Sequence, residues 1–175
     1  VMHKATMLAI EKAKKVGIGW VGCSYSNHAG AASTYANLVA EAGLVGLYLA
    51  VGSANHMAPW GGIDMLLSTN PIAISVPTGP GNPPVTLDMA TTVAAYGKVK
   101  MKAQQGEQMP VGWMIDKQGK PLTDPNRSHE GMLLPIGDYK GYGLSLMIAL
   151  LAGCMNGAAV GSKLVDFNAD SQAVT

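Results

Sequence analysis

The sequence predicts an α/β protein, a mixed sheet with flanking helices, and three observations carry that prediction. Helical stripes alternate with short apolar runs through the first fifty residues. The middle of the chain then turns strand-rich. The connections are long and hold many of the 22 glycines and 10 prolines among 175 residues. Such loops are where sites tend to be built, because a rigid scaffold positions them.

Taken in order, Met7, Ile10, Ala13 and Lys14, with Leu8 and Ala9 beside them, form a helical stripe that stops at Gly17. Ile18 to Ser24 reads as a buried strand. Ser26 or Asn27 is placed to cap a second helix, Gly30 to Ala42, whose small residues allow close packing. Leu44 to Val51 is another buried strand, followed by a long irregular piece from Gly52 to Asn70. Ile72 to Val76 and Val85 to Met89 are strands about the turn Pro80-Gly81-Asn82. Thr91 or Thr92 is expected to cap a helix running to about Gln105. Trp113 to Asp116, with the turn Lys117-Gln118-Gly119-Lys120, reads as a hairpin arm, and Gly141 to Met155 as the final long helix.

Composition excludes several function classes. Twelve basic and 11 acidic side chains give a net charge of +1, which excludes a strongly basic nucleic-acid binder. A 48% hydrophobic content excludes wholesale disorder. Charged residues are only 13%, against about 25% in ordinary soluble domains. A chain so poor in charge either hides its surface in partners or is cut from something larger. Val1 in place of an initiator Met favours the second, a fragment. Cys23 and Cys154 lack a CxxC companion and read as two buried free thiols of a reducing compartment. The most apolar stretch, Leu144 to Met155, is shorter than the roughly 20 residues a membrane span needs. With no signal-peptide pattern at Val1 to Val16, the expectation is a soluble, cytoplasmic protein.

Gly17-Ile18-Gly19-Trp20-Val21-Gly22 fits G-x-G-x-x-G letter by letter. The dinucleotide fingerprint needs a strand before the glycines and a helix after them, to receive the pyrophosphate. Here a helix comes first. Gly17 is therefore read as a helix stop, and Gly19 and Gly22 as points of close packing.

Three constellations carry potential chemistry. His28, in Ser26-Asn27-His28-Ala29-Gly30, lies between a strand and a helix and is suited to proton exchange with a hydroxyl or carbonyl; the alternative is a histidine tucked under the helix start. Asp88, ending an apolar strand in Leu87-Asp88-Met89-Ala90-Thr91, can accept from a ribose hydroxyl or serve as a local helix cap. Lys140, in Asp138-Tyr139-Lys140-Gly141, is either an anion contact or a solvated turn residue. His56 and Trp60 are weaker candidates for lining a pocket. Ser68, Thr69 and Asn70 read as polar contacts at a strand entry, His3 and His129 as exposed, and Arg127 as a surface residue. No His, Cys or carboxylate cluster has metal-ligand spacing, so no metal is expected.

Eight stretches in order resemble the malate/L-lactate dehydrogenase family with a non-Rossmann fold. They are 18–22, Ser26-Asn27-His28, Ala58-Pro59-Trp60-Gly61-Gly62, 69–73, Leu87-Asp88-Met89-Ala90-Thr91, Gly97-Lys98-Val99, Thr123-Asp124-Pro125 and Lys140-Gly141-Tyr142-Gly143. No single stretch is decisive; the ordered set is specific. The resemblance implies an incomplete copy of that family's NAD(P)-binding fold and an oxidoreductase of 2-hydroxy or 2-oxo acids such as malate or lactate. It places the proton donor or acceptor on His28, and cofactor contacts on Ser53, Asp88, Met89, Ala90 and Lys140. Many relatives carry Asn directly before that serine, where this chain has Gly52. The cofactor implied is NAD or NADP, with no marker choosing between them.

Family members are longer, with a preceding S-H-G-x-x-R segment and further closing strands. On this reading residues 1–161 are the central cofactor-binding region of a longer subunit, and 162–175 a linker-like tail. The full-length protein is then expected to be a homodimer acting on a small molecule, without nucleic-acid or membrane partners, and its charge-poor surface to be a sheet and dimer interface left uncovered. The alternative is a truncated, non-catalytic fragment that binds nucleotide or associates with partners.

Overall fold

Helix α1, Met2–Val16, ends as its pattern requires: Gly17 takes a left-handed φ of 89° and its N–H returns to the carbonyl of Ala13. The computed structural model describes residues 1–166. After Gly17 the chain runs back along α1, and a Cβ at Gly19 would stand 2.2 Å from the carbonyl oxygen of Ala9. Gly22 packs against a side chain instead, its Cβ position falling 1.7 Å from Oδ1 of Asn156. Both glycines therefore serve close packing, and no helix starts at Gly22, which removes the dinucleotide reading. The expected strand over Ile18 to Ser24 does not form. The segment has no ladder partner among the described residues, and Ile18 and Trp20 remain 75% and 52% exposed. With its backbone pressed against α1 and Asn156, it cannot also enter a sheet.

Helix α2, Ala32–Glu41, packs on a three-stranded sheet of β1 (Gly46–Leu49), β2 (Ile72–Val76) and β3 (Val85–Met89), in the order β1-β2-β3. β1 is shorter than the expected Leu44 to Val51. Every pairing is antiparallel, so among the described residues the sheet has no parallel pair. Register sets Tyr48 and Asp88 beside Ala73, and Thr86 beside Ser75, on the face that meets α2. Ala73 joins Ala32 and Ala36 in a buried cluster there. Asn37 of α2 accepts from the Ser75 hydroxyl at 2.9 Å and the Thr86 hydroxyl at 2.7 Å. The other face of the sheet carries Leu47 and Leu49 of β1, Ile72, Ile74 and Val76 of β2, and Val85, Leu87 and Met89 of β3. Leu47, Val76, Val85 and Leu87 are exposed. That apolar face accounts for part of the unusual poverty in surface charge.

Neither Ser26 nor Asn27 caps α2; its N-cap is Ala31, without a side-chain cap of its own. The cap comes from across the sheet, as described below. Helix α3, Tyr96–Gln105, likewise starts later than a Thr91 or Thr92 cap would place it. Both threonines are buried, and their hydroxyls donate to the carbonyls of Thr69, Asn70 and Ala94. Thr91 and Val93 donate their N–H groups to Thr69 and Leu134, so the chain is held extended until Ala95.

Strand β4, Met114–Asp116, pairs with β5, Gly131–Leu133. Asp116 fixes the following turn by accepting from the N–H groups of Gln118 and Lys120, each at 2.9 Å. These strands pack against α3 through Ala94, Val99, Met109, Met114, Leu122 and Leu133. Helix α4, Tyr139–Ile148, widens into a π-helical turn at Ala149–Gly153 and closes in a 3-10 turn at Cys154–Asn156. Cys154 is thereby exposed and Cys23 half-buried; both thiols are free, but neither is fully buried as expected. Among the described residues no helix is long and apolar enough to cross a membrane. Of the linker-like tail, residues 167–175 lie outside the described residues, and Gly161–Lys163 forms a 3-10 turn.

Candidate functional site

The segment between α1 and α2, the exit of β1, the start of α3 and the π-helical turn surround one cleft of about 620 Å³. That volume lies in the range of small-molecule and cofactor sites. His28, Tyr48, Ser53, His56, Tyr96 and Lys100 are on its walls.

His28 is exposed rather than tucked under the helix. Tyr25, three residues before it, adopts a φ of 56°, a left-handed turn that a tyrosine rarely takes. The Tyr35 hydroxyl donates to the carbonyl of Ala29 at 2.6 Å, fastening the link to α2 directly after His28. The histidine thus stands on a backbone pinned from one side and turned sharply on the other.

Ser53 follows a locked position. The N–H of Gly52 donates to Oδ1 of Asn70 at 3.1 Å, and a Cβ on Gly52 would lie 2.0 Å from the hydroxyl oxygen of Ser68. Asn70 is 1% exposed, and its amide also donates to the carbonyl and hydroxyl oxygens of Ser145 at 3.0 and 3.1 Å. One amide therefore ties the loop before Ser53 to the entry of β2 and to α4. The polar contacts expected of Ser68, Thr69 and Asn70 are this brace.

Two further aromatic groups contribute. Tyr48 stacks on Tyr35 at 5.3 Å between ring centroids. Burial, reinforced by Tyr35, Cys23 and Asp88, pushes the Tyr48 hydroxyl up to about 12, so it keeps its proton at any physiological pH. His56 lies face to face with Tyr96, ring centroids 4.1 Å apart and planes 6° from parallel. Burial lowers its pKa from the usual 6.5, with Lys100 adding to the effect and Asp166 opposing it. At neutral pH His56 is an uncharged imidazole.

The remaining sequence-predicted residues lie elsewhere. Asp88 and Met89 end β3, Ala90 follows it, and none of the three is on the cleft wall. The Asp88 carboxylate instead accepts the N–H of Ser33 at 2.8 Å, capping α2 one residue beyond Ala32, which does line the cleft. Lys140 is exposed in the first turn of α4, outside the cleft lining, after Asp138 at a strained φ of 58°. Gly141 beside it is obligatory, since a Cβ there would stand 2.1 Å from the carbonyl oxygen of Ile136. Trp60 is exposed and does not join His56 in the cleft. His3 and His129 are exposed, and Arg127 pairs with Glu130 on the surface. Among the described residues no group of three His, Cys, Asp or Glu is arranged to hold a metal.

The cleft thus brings together His28, Ser53 and His56 of the expected set and adds Tyr48, Tyr96 and Lys100, which sequence reasoning missed. The signal available for the last two was the i, i+4 spacing of Tyr96 and Lys100, visible only once α3 is known to start at Tyr96. The walls fit one end of a polar cofactor: hydroxyls at Ser53 and Tyr48, an unpaired imidazole at His28, and bare backbone at Gly97, where a Cβ would meet nothing within 4 Å.

The sequence model described as malate/L-lactate dehydrogenase matches residues 1–174. The L-sulfolactate dehydrogenase of Methanothermobacter thermautotrophicus is 42% identical over 164 residues, which are 94% of this chain and 47% of that enzyme. Other relatives are named malate dehydrogenase, NAD(+)-dependent ureidoglycolate dehydrogenase and NADP(+)-dependent sulfolactate dehydrogenase. Among solved structures, the delta1-piperideine-2-carboxylate reductase from Pseudomonas syringae pvar. tomato superposes with a TM-score of 0.88 at 33% identity, covering 98% of this chain and 51% of that one. The sulfolactate dehydrogenase from Methanocaldococcus jannaschii gives 0.81 at 42% identity, covering 93% and 46%. The chain therefore spans about half the length of the relatives it matches.

Proposed function

Because the chain belongs to the malate/L-lactate dehydrogenase family, we propose that it forms the cofactor-facing part of an NAD(P)-dependent oxidoreductase of 2-hydroxy acids. The substrate is a small 2-hydroxy or 2-oxo acid such as malate or lactate. The observation that carries the reading is His28: exposed on the wall of the cleft, on a backbone fastened at Ala29, with its ring unpaired among the described residues.

A nicotinamide cofactor, NAD or NADP, supplies the acceptor for the hydride. In oxidation the substrate's C2 hydrogen leaves with its electron pair, the C2 hydroxyl proton passes to the His28 imidazole, and the C–O bond becomes a carbonyl. In reduction His28 returns the proton to the forming alkoxide. An imidazole serves both directions because its ordinary pKa lies near neutrality. Ser53 is assigned to a hydrogen bond with the cofactor, a role supported by its place on the cleft lining. Asp88, Met89, Ala90 and Lys140 are assigned to the cofactor on the family resemblance, with Asp88 acting from its place at the α2 cap. In this reading residues 1–161 are the central cofactor-binding region of a longer subunit, residues 162–175 are a linker-like tail by composition, and the enzyme works as a cytoplasmic homodimer.

The test is His28→Ala. Turnover with the best 2-hydroxy acid should fall by about 10²–10⁴-fold, the usual contribution of a positioned general base. NADH affinity, read by fluorescence titration, should change little. Unchanged turnover overturns the assignment. The second reading is a truncated, non-catalytic fragment that binds nucleotide or associates with partners. Saturable NADH binding with no turnover of malate, lactate or pyruvate is its signature.

A further inference from the structure

We propose that Lys100, His56 and Tyr96 form an oxyanion subsite on the wall of the cleft. It takes a compact carboxylate, sulfonate or phosphate carried by the molecule that reaches His28. The inference deepens the dehydrogenase reading and rests on it for the identity of that molecule.

Each component is placed by the fold. Tyr96 opens α3 and packs against the buried cluster around Val99, while its hydroxyl meets that of Ser128 at 3.3 Å. Lys100 is one helical turn further, so its stem runs along the same face, and its ammonium lies 5.7 Å from the Tyr96 ring centroid. His56 is held at both backbone ends: its N–H donates to the carbonyl of Leu67 at 2.9 Å, and its carbonyl accepts from Leu133 at 2.8 Å. The ring is then fixed by its stack on Tyr96. Three groups from two parts of the chain, α3 and the loop that carries His56, are thereby held together on the cleft lining.

What they present is unspent donor capacity. Among the described residues Lys100 has no carboxylate within ion-pair distance, and its recorded contact is the Tyr96 ring. No hydrogen bond among the described residues engages the His56 ring nitrogens, and an uncharged imidazole still offers one N–H. A cation and an N–H donor beside an aromatic wall, partly shielded from water, favour an anion more than the same groups do in bulk solvent. Among the described residues Asp166 is the carboxylate whose charge reaches His56, and it opposes an incoming anion.

The oxyanion has two sources, the second acidic group of a dianionic substrate or the 2′-phosphate of NADP. Calorimetric titration of the wild type, Lys100→Ala and Lys100→Arg separates them. One arm compares malate with lactate, and the other NADP(+) with NAD(+). In one arm the Ala variant should lose about tenfold in affinity for the ligand bearing the extra anion, equivalent to about 1.4 kcal/mol. Its loss for the other member of that pair should be much smaller, and Arg should restore most of the difference. Lys100 is exposed, so the variant is expected to fold, which circular dichroism verifies. Equal losses within both pairs, or no loss in either, overturn the subsite. Binding is read without turnover, so a protein that oxidises no hydroxy acid defeats the dehydrogenase reading while the titrations still decide this one.

Discussion

The carboxylate of Asp88 accepts the backbone N–H of Ser33 at 2.8 Å, across 55 residues of sequence. A strand end thus supplies the cap that α2 lacks locally, and sets an anion at the positive end of the helix dipole. Asp88→Ala should cost about 1 kcal/mol of stability in urea unfolding, the usual value of a lost cap. Asp88→Asn, which keeps an acceptor oxygen, should recover most of it. An alanine variant as stable as the wild type would remove the capping role and leave only the cofactor assignment.

Asn70 is the second point of leverage. Its amide completes three hydrogen bonds in a buried setting, to Gly52 and to two oxygens of Ser145. Asn70→Ala leaves the Gly52 N–H without its acceptor and opens a void. At about 1 kcal/mol for each bond lost, the destabilisation should reach about 3 kcal/mol. Asn70→Leu should do no better, because refilling the volume does not restore the acceptor. A loss below about 1 kcal/mol on denaturant titration contradicts the brace.

His56 makes stability depend on pH. Burial holds its folded pKa below 6.5, whereas the unfolded chain titrates near 6.5. Between those two values the unfolded state binds more protons, so stability rises with pH through that window and levels off above it. Acidification below 6.5 should therefore weaken the wild type more than His56→Phe, which cannot take up the proton. Midpoints of thermal unfolding recorded from pH 5 to 8 test this, and parallel curves for the two proteins would refute it.

The limits of reading the chain directly follow from the same residues. β2 and β3, the stop of α1 at Gly17 and the Asp116 turn were legible because each is decided by near neighbours. The starts of α2 and α3 were not. Asp88 caps the first from another element, and Thr91 and Val93 are drawn into backbone bonds with Thr69 and Leu134 before the second can begin. The segment after Gly17 has strand-like composition but no ladder partner, which local pattern cannot reveal. Of the site, His28 and His56 were legible from their local context and Ser53 through family resemblance, and all three line the cleft. The stack of His56 on Tyr96 joins residues forty positions apart, so no spacing rule announces it.

Gly52 and Ser68 share a space sufficient for one side chain, since a Cβ on the first would sit 2.0 Å from the hydroxyl of the second. The two positions are therefore coupled in volume. A side chain at 52 displaces the hydroxymethyl group of Ser68 unless position 68 is reduced at the same time.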